Sequence, residues 1–143
     1  MYCQWRLDKN PFVNYKAKVK EVERAYLVQE EIQAIVDKEF ATERLNQVKD
    51  IFLYSCFTGL AYIDVKQLTR SNIGLGIDGG KWIFTNRQKT DTRSNISLLP
   101  IAEEILDKYK QHPQCLNEGK LLPVLSNQKM NSYLKEIADL CEI

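Results

Sequence analysis

Histidine is almost absent from this sequence, which contains one histidine, His112, and four cysteines that form no C-x-x-C pair. A zinc site needs a cluster of such ligands, so no metal site is predicted. His112 stands in QHPQC, before a proline, which is typical of a surface loop. Hydrolysis through a histidine-activated serine or cysteine is therefore not favoured. The separated cysteines are predicted to be free thiols in a reducing compartment.

Long apolar runs are missing as well. The longest stretch without a charged residue, residues 51–63, has thirteen residues. This is too short to span a bilayer and is better explained as a buried helix. The first ten residues, MYCQWRLDKN, lack the apolar centre of a signal peptide. We therefore expect a cytoplasmic protein with no membrane partner, of the size of one domain.

The chain also lacks a large net charge, since its formal charge at pH 7 is +1. The distribution along the chain is uneven, because residues 66–93 contain six cations and two acids. A basic segment within a nearly neutral protein indicates a local anion site. The six cations are Lys66, Arg70, Lys81, Arg87, Lys89 and Arg93.

The apolar pattern has a helical period over most of the chain. Residues 1–25 are interpreted as a polar leader and linker, and the helical period begins at Gln29. Thr42 is the predicted N-cap of a second helix, which Gly59 ends. Pro100 is suited to the start of the next helix, QHPQC is predicted to end it as a loop, and Ser126 caps the last helix. That last apolar stripe has no C-cap signal, so we expect the polypeptide to continue beyond it.

The period changes to two in the middle of the chain. KWIFTN and SNISLL are typical strands, DGG at residues 78–80 predicts a tight turn, and YIDVKQL before them predicts a short helical turn. The order is helices, three short strands, and helices again. It predicts an α+β fold, mostly helical with a small three-stranded antiparallel sheet.

Two stretches carry a resemblance to a known family. FTGLAYIDVKQLTRSNI, followed by KWIFTNRQKTDTRSNISLLP, resembles the tyrosine recombinase (phage integrase) family, especially the branch carried by integrative mobile elements. The resemblance covers roughly residues 20–143. It implies that residues 1–25 are the end of a DNA-clamping core-binding domain with its linker. Residues 26–143 would then be the N-terminal part of a catalytic domain of recombinase type.

The resemblance implies metal-free and cofactor-free cleavage of double-stranded DNA. In the family a tyrosine forms a 3′-phosphotyrosyl link, while arginines and a histidine stabilise the charge on the phosphate. Lys89 matches the hairpin lysine that protonates the departing 5′-oxygen, and its flexible, tunable ammonium suits a general acid. Arg87, Thr90 and Arg93 would make positioning contacts to phosphates. From composition alone, the favoured explanation of Lys89 is a hairpin lysine kept for solubility, and the resemblance reverses this preference.

The sequence departs from the family at its first active-site arginine, where it has Ala61. A methyl group cannot make the bidentate pair of an arginine with phosphate. Either a cation from elsewhere supplies this charge, with Lys66 and Arg70 the nearest candidates in the sequence, or the protein has lost cleavage and only binds DNA. Asp64 matches the family's supporting acid, with a capping or surface role as the alternative.

The family's H-x-x-R box and nucleophilic tyrosine follow the segment matched here. Tyr54, Tyr62 and Tyr133 are predicted to be packing residues. We therefore expect a DNA-binding fragment of a recombinase, inactive alone, whose partners are double-stranded DNA and other recombinase subunits, with no small-molecule substrate. A monomer or an adventitious dimer is expected. A catalytically inactive DNA-binding protein and a protein-interaction module are the alternatives.

Overall fold

In the computed structural model, which describes residues 26–143, α-helices flank a small antiparallel sheet. The interpretation of residues 1–25 as a leader and linker lies outside the described residues. The described elements are α1 (Gln29–Asp37), α2 (Glu43–Thr58), α3 (Tyr62–Gln67), a 3₁₀ turn (Arg70–Asn72), β1 (Ile73–Leu75), β2 (Lys81–Arg87), β3 (Thr92–Ser97), α4 (Pro100–Tyr109), α5 (Pro113–Glu118) and α6 (Asn127–Cys141).

Helix α2 forms the centre of the hydrophobic core. Val48, Ile51 and Tyr54 are no more than 2% exposed, and α4 and α6 pack against this helix. An apolar surface this wide must be covered on several sides, which explains why the helix is central. Gly59 ends α2 in the left-handed conformation, with φ 65°. The predicted stop is confirmed, since glycine adopts this conformation without a Cβ clash.

The sheet has the order β1–β2–β3, and both pairs of strands are antiparallel. Ile83 is fully buried on its inner face and is paired with Ile73 and Ile96. Because side chains alternate along a strand, Trp82 and Phe84 lie on the outer face. The α+β class with a three-stranded antiparallel sheet is confirmed.

Helix ends follow the sequence signals in most places. Pro100 is the first residue of α4, and the Ser126 hydroxyl accepts a hydrogen bond from the backbone N–H of Lys129 at 3.4 Å. Thr42 occupies the N-cap position of α2, but its hydroxyl makes no capping hydrogen bond. The last helix, α6, has no C-cap signal in the sequence, but it ends at Cys141, and Glu142 closes it in the left-handed conformation, with φ 61°.

The prediction for QHPQC is right in one part, because α4 ends at Tyr109, before this segment, and wrong in the other, because residues 113–115 begin helix α5. Pro113 occupies its first turn, where the missing N–H breaks no helical hydrogen bond, and Gly119 ends it with φ 66°. Cys115 is 1% exposed and packs in the hydrophobic core, so it anchors α5 there. His112 is half-buried, not a free surface residue, and its ring meets the Tyr109 ring edge-on with centroids 5.9 Å apart.

Two further features concern the environment of the chain. Cys56, Cys115 and Cys141 are free thiols, as predicted, and the fourth cysteine, Cys3, lies outside the described residues. Among the helices of residues 26–143, none has the length and apolar content needed to cross a membrane.

Candidate nucleic-acid interface

The β2–β3 hairpin presents Lys89 at its tip. Residues 88–91 form the turn, which is closed by a hydrogen bond from the backbone N–H of Asp91 to the carbonyl of Arg87 at 2.8 Å. Asp91 has φ 50°, a left-handed conformation that aspartate tolerates better than most residues. Lys89 is exposed, and no ion pair within the described residues includes it. Its ammonium group is thus held out from the body of the protein.

A buried carboxylate fixes the base of this turn to helix α3. Asp64 is 6% exposed, and its Oδ1 accepts a hydrogen bond from the backbone N–H of Gln88 at 2.9 Å. Gln67, one turn further along α3, donates a hydrogen bond from its Nε2 to the Gln88 Oε1 at 3.1 Å. Val65, 1% exposed, anchors α3 in the core between these two residues. Asp64 therefore supports the backbone next to Lys89, a contact stronger than that of a surface acid.

The register of the sheet directs Arg87 toward the junction of α2 and α3. Arg87 lies on the same face of β2 as the buried Ile83, four residues earlier. Its Nη2 donates to the carbonyl of Gly59 and its Nε to the Ser94 hydroxyl, both at 3.3 Å. Within the described residues no protein acceptor binds Nη1, so the end of the guanidinium keeps free donors. The group lies next to the chain segment that contains the exposed Ala61.

Arg93 lies on the opposite face of the sheet from Arg87. It is paired with Asn86 across the strands, and the two residues line a shallow hollow on the outer face together with Phe84. Thr90 is exposed in the turn, and its backbone carbonyl accepts a hydrogen bond from the Thr92 hydroxyl at 3.3 Å. Arg87 and Arg93 therefore lie on opposite faces of the hairpin and do not converge on one point.

Lys66 and Arg70 each have a contact of their own. Lys66 is exposed, with its Nζ 5.7 Å from the centroid of the Tyr62 ring. The Nη2 of Arg70 donates to the carbonyl of Lys110, the residue after α4, at 3.0 Å. Arg70 belongs to the 3₁₀ turn before β1, close to the predicted strand start. It faces a cleft beside α4 that no hairpin-turn residue lines.

Lys120 is a neighbouring cation that the sequence pattern did not indicate. Its Nζ donates to the backbone carbonyl of Gln67 at 3.3 Å, and it lines a hollow together with Lys66. A single antiparallel bridge between Thr69 and Lys120 brings it there. Because this bridge joins positions 51 residues apart in sequence, no local periodicity could reveal it.

The three tyrosines predicted to pack do so. Tyr54 is fully buried, and burial raises the pKa of its hydroxyl, so it is a poor nucleophile. The Tyr62 hydroxyl donates to the carbonyl of Leu125 at 2.8 Å, and the Arg44 guanidinium lies 5.0 Å from the centroid of Tyr133. Within residues 26–143 no cluster of histidine, cysteine and acidic residues could hold a metal ion.

In comparisons with protein-family models, with curated proteins and with solved structures, nothing matches this chain. The case for a function therefore depends on the residues and their geometry.

Proposed function

We propose that this chain is a DNA-binding part of a site-specific tyrosine recombinase, and that its β2–β3 hairpin contacts the backbone of double-stranded DNA. The observation that carries the proposal is Lys89, which is exposed and has no ion pair among residues 26–143, on a turn whose first residue is held by the buried Asp64. A lysine kept only for solubility needs no such support. A lysine that must meet one phosphate does, because positioning within about 0.5 Å depends on a rigid surrounding structure.

In the proposed reaction Lys89 acts as the general acid. As the deprotonated tyrosine oxygen of the full enzyme bonds to phosphorus, the bond from phosphorus to the 5′-oxygen breaks, and the Lys89 ammonium gives that oxygen a proton. None of Tyr54, Tyr62 and Tyr133 is suited to be the nucleophile, since each is engaged in packing. The role of this chain in the proposed reaction is therefore to bind and position the substrate and to supply the proton from Lys89.

The charge that Ala61 cannot supply is assigned in this proposal to Arg87. Lys66 and Arg70, the candidates nearest in sequence, contact Tyr62 and the end of α4 instead. The Arg87 guanidinium contacts the carbonyl of Gly59, two residues before Ala61, and its Nη1 has no acceptor in the part of the chain that the structure describes. A planar guanidinium with two donors on one edge matches two phosphate oxygens.

A catalytically inactive DNA-binding protein is the second candidate, and the exposed methyl group of Ala61 favours it. Both candidates require the hairpin to bind duplex DNA. They differ in whether the full-length protein cleaves DNA. A recombinase would form a covalent complex with a nicked recombination-site duplex, and an inactive DNA-binding protein would not.

The test of the shared claim is the affinity for a short fluorescent duplex, measured by anisotropy between about 50 mM and about 200 mM salt. Each lost phosphate contact should reduce the slope of log affinity against log salt by about 0.9. Lys89→Ala and Arg87→Ala should each do so, and the double variant should lose about twice as much.

The matched control is Lys135→Ala, which removes an exposed cation from α6, away from the sheet. It should leave the salt slope unchanged. A chain that does not bind duplex even at low salt, or one in which Lys135→Ala is as harmful as Lys89→Ala, would refute the proposal. The first of these results would favour a protein-interaction module.

A further inference from the structure

A cleft between the sheet and α4 is separate from the hairpin tip. Its apolar walls are Ile73, Leu106 and Leu121, all half-buried, and its volume is about 190 Å³. An apolar cavity of about 150 Å³ is enough to hold benzene. The cleft can therefore accept an apolar group of roughly that size.

The rim of the cleft is positively charged. Lys81 and Glu103 neutralise each other through an ion pair of 2.8 Å, which raises the pKa of Lys81. The remaining charged residues of the rim are Arg70, Lys110 and Lys120 against Asp107. Their formal charges leave an excess of two positive charges around an apolar interior. This combination is complementary to an organic anion.

Arg70 is the cation best placed to bind such an anion. Its Nη2 is fixed by the carbonyl of Lys110 at 3.0 Å, and no other protein acceptor for its guanidinium is found among residues 26–143. A guanidinium with one donor fixed loses less rotational freedom when it binds a ligand. The remaining donors match the two oxygens of a carboxylate.

We propose that this cleft binds a small organic carboxylate, with an apolar body about the size of a benzene ring in contact with Leu106 and its carboxylate on Arg70. Lys110 supports the carboxylate by its charge. The sequence predicts no small-molecule substrate, and the ligand proposed here is bound without being transformed.

This site is independent of DNA binding by the hairpin. Arg70 was a candidate for a phosphate contact on sequence grounds, and its direction toward α4 gives it this different role. Loss of carboxylate binding with unchanged duplex affinity, or the reverse, would separate the two proposals.

The experiment is a titration of the ¹⁵N-labelled chain followed by amide chemical shifts. Phenylacetate is the probe, phenylacetamide the neutral control of the same shape, and acetate the control for charge alone. Phenylacetate should shift the amides of Ile73, Leu106 and Leu121 in a saturable manner. Both controls should bind at least about tenfold more weakly, since each lacks one half of the recognition.

Two variants test the roles of Arg70 and Lys110, and a third variant is the control. Arg70→Gln should weaken phenylacetate binding about tenfold, Lys110→Gln should weaken it less, and Lys135→Gln on α6 should not change it. All three positions are exposed, so the fold should persist, and the amide spectrum reports this directly. Equal affinity for phenylacetate and phenylacetamide, shifts outside the cleft, or wild-type affinity in Arg70→Gln would overturn the proposal.

Discussion

The carboxylate of Asp64 lies 2.9 Å from the backbone nitrogen of Gln88, so a buried acid on α3 holds the first residue of the hairpin turn. This contact links two segments that are 24 residues apart in the sequence. It makes the position of Lys89, the next residue, dependent on helix α3. The stability of the turn and its affinity for an anion should therefore change together.

Removing the Asp64 carboxylate should loosen the hairpin. Asp64→Ala should lower the free energy of unfolding by about 1.5–3 kcal/mol, because the bond has a charged acceptor and its donor loses its partner. Asp64→Asn keeps an acceptor oxygen and should cost less. Urea unfolding followed by circular dichroism gives the stability, and hydrogen exchange of the Gln88 amide reports the turn itself.

Asp139→Ala is the control for this prediction, since it removes an exposed carboxylate on α6. Its effect should stay within about 0.5 kcal/mol. If Asp64→Ala left both the stability and the exchange of the Gln88 amide at wild-type values, the supporting role of Asp64 would be wrong.

The loss of duplex binding in Arg87→Ala should be reversed by an arginine introduced at position 61. Arg87→Ala should weaken the affinity roughly tenfold at low salt, as the loss of one charged hydrogen-bond donor predicts. Adding Ala61→Arg should recover most of this loss, because position 61 is exposed and close to the Gly59 carbonyl that Arg87 contacts. Anisotropy with the same duplex gives the coupling energy of the pair.

Arg93 provides the matched comparison for this relocation, because it lies on the outer face of the sheet. Ala61→Arg should not rescue Arg93→Ala. If it raised the affinity by one common factor in the wild type, in Arg87→Ala and in Arg93→Ala, the added charge would act without regard to position. The assignment of Arg87 to the site beside Ala61 would then fail.

Short sequence signals predict most of the fold. The directions of the site side chains are harder to predict, because they depend on the length of the β2–β3 turn. Gly59, Pro100 and Ser126 set helix ends through their own backbone or side-chain chemistry. The opposite directions of Arg87 and Arg93 depend on a turn of four residues, because a shift of one residue in register reverses every side chain. The sequence pattern did not define that turn length.

The periodicity of apolar residues does not indicate which distant segments of the chain are in contact. Asp64 could be recognised as a candidate, but its partner Gln88 depends on how α3 packs beside the sheet. Proximity in sequence places Arg70 with the hairpin cations, whereas its hydrogen bond to the carbonyl of Lys110 directs it toward α4. Tertiary packing determined these directions.

Two buried tyrosines should respond in opposite ways to loss of the hydroxyl group. The Tyr54 hydroxyl has no hydrogen-bond partner within the described residues, so Tyr54→Phe should raise the free energy of unfolding by about 1 kcal/mol. The Tyr109 hydroxyl donates to Asp50 at 2.8 Å, so Tyr109→Phe should lower it by about 1–3 kcal/mol. Urea unfolding at pH 7 measures both, and equal effects of the two variants would contradict the assigned environments.

The same tyrosines should make the protein less stable in alkaline solution. Burial raises the pKa of Tyr54, and burial together with the hydrogen bond to Asp50 raises that of Tyr109, each from an ordinary value of 10.0. Above about pH 10 the unfolded chain releases these protons while the folded protein keeps them. Stability must then fall with rising pH, by about 1.4 kcal/mol per pH unit for each tyrosine.

The difference between variants isolates this effect from other groups. Burial also raises the pKa of Cys115 from 9.0, so its contribution has the same sign and begins at lower pH. Unfolding free energies measured between about pH 9 and pH 11 should decline less steeply in Tyr54→Phe and in Tyr109→Phe than in the wild type, and least in the double variant. If the double variant kept the wild-type slope, the two hydroxyls would titrate alike in the folded and unfolded chains, and their burial in the folded protein would be disproved.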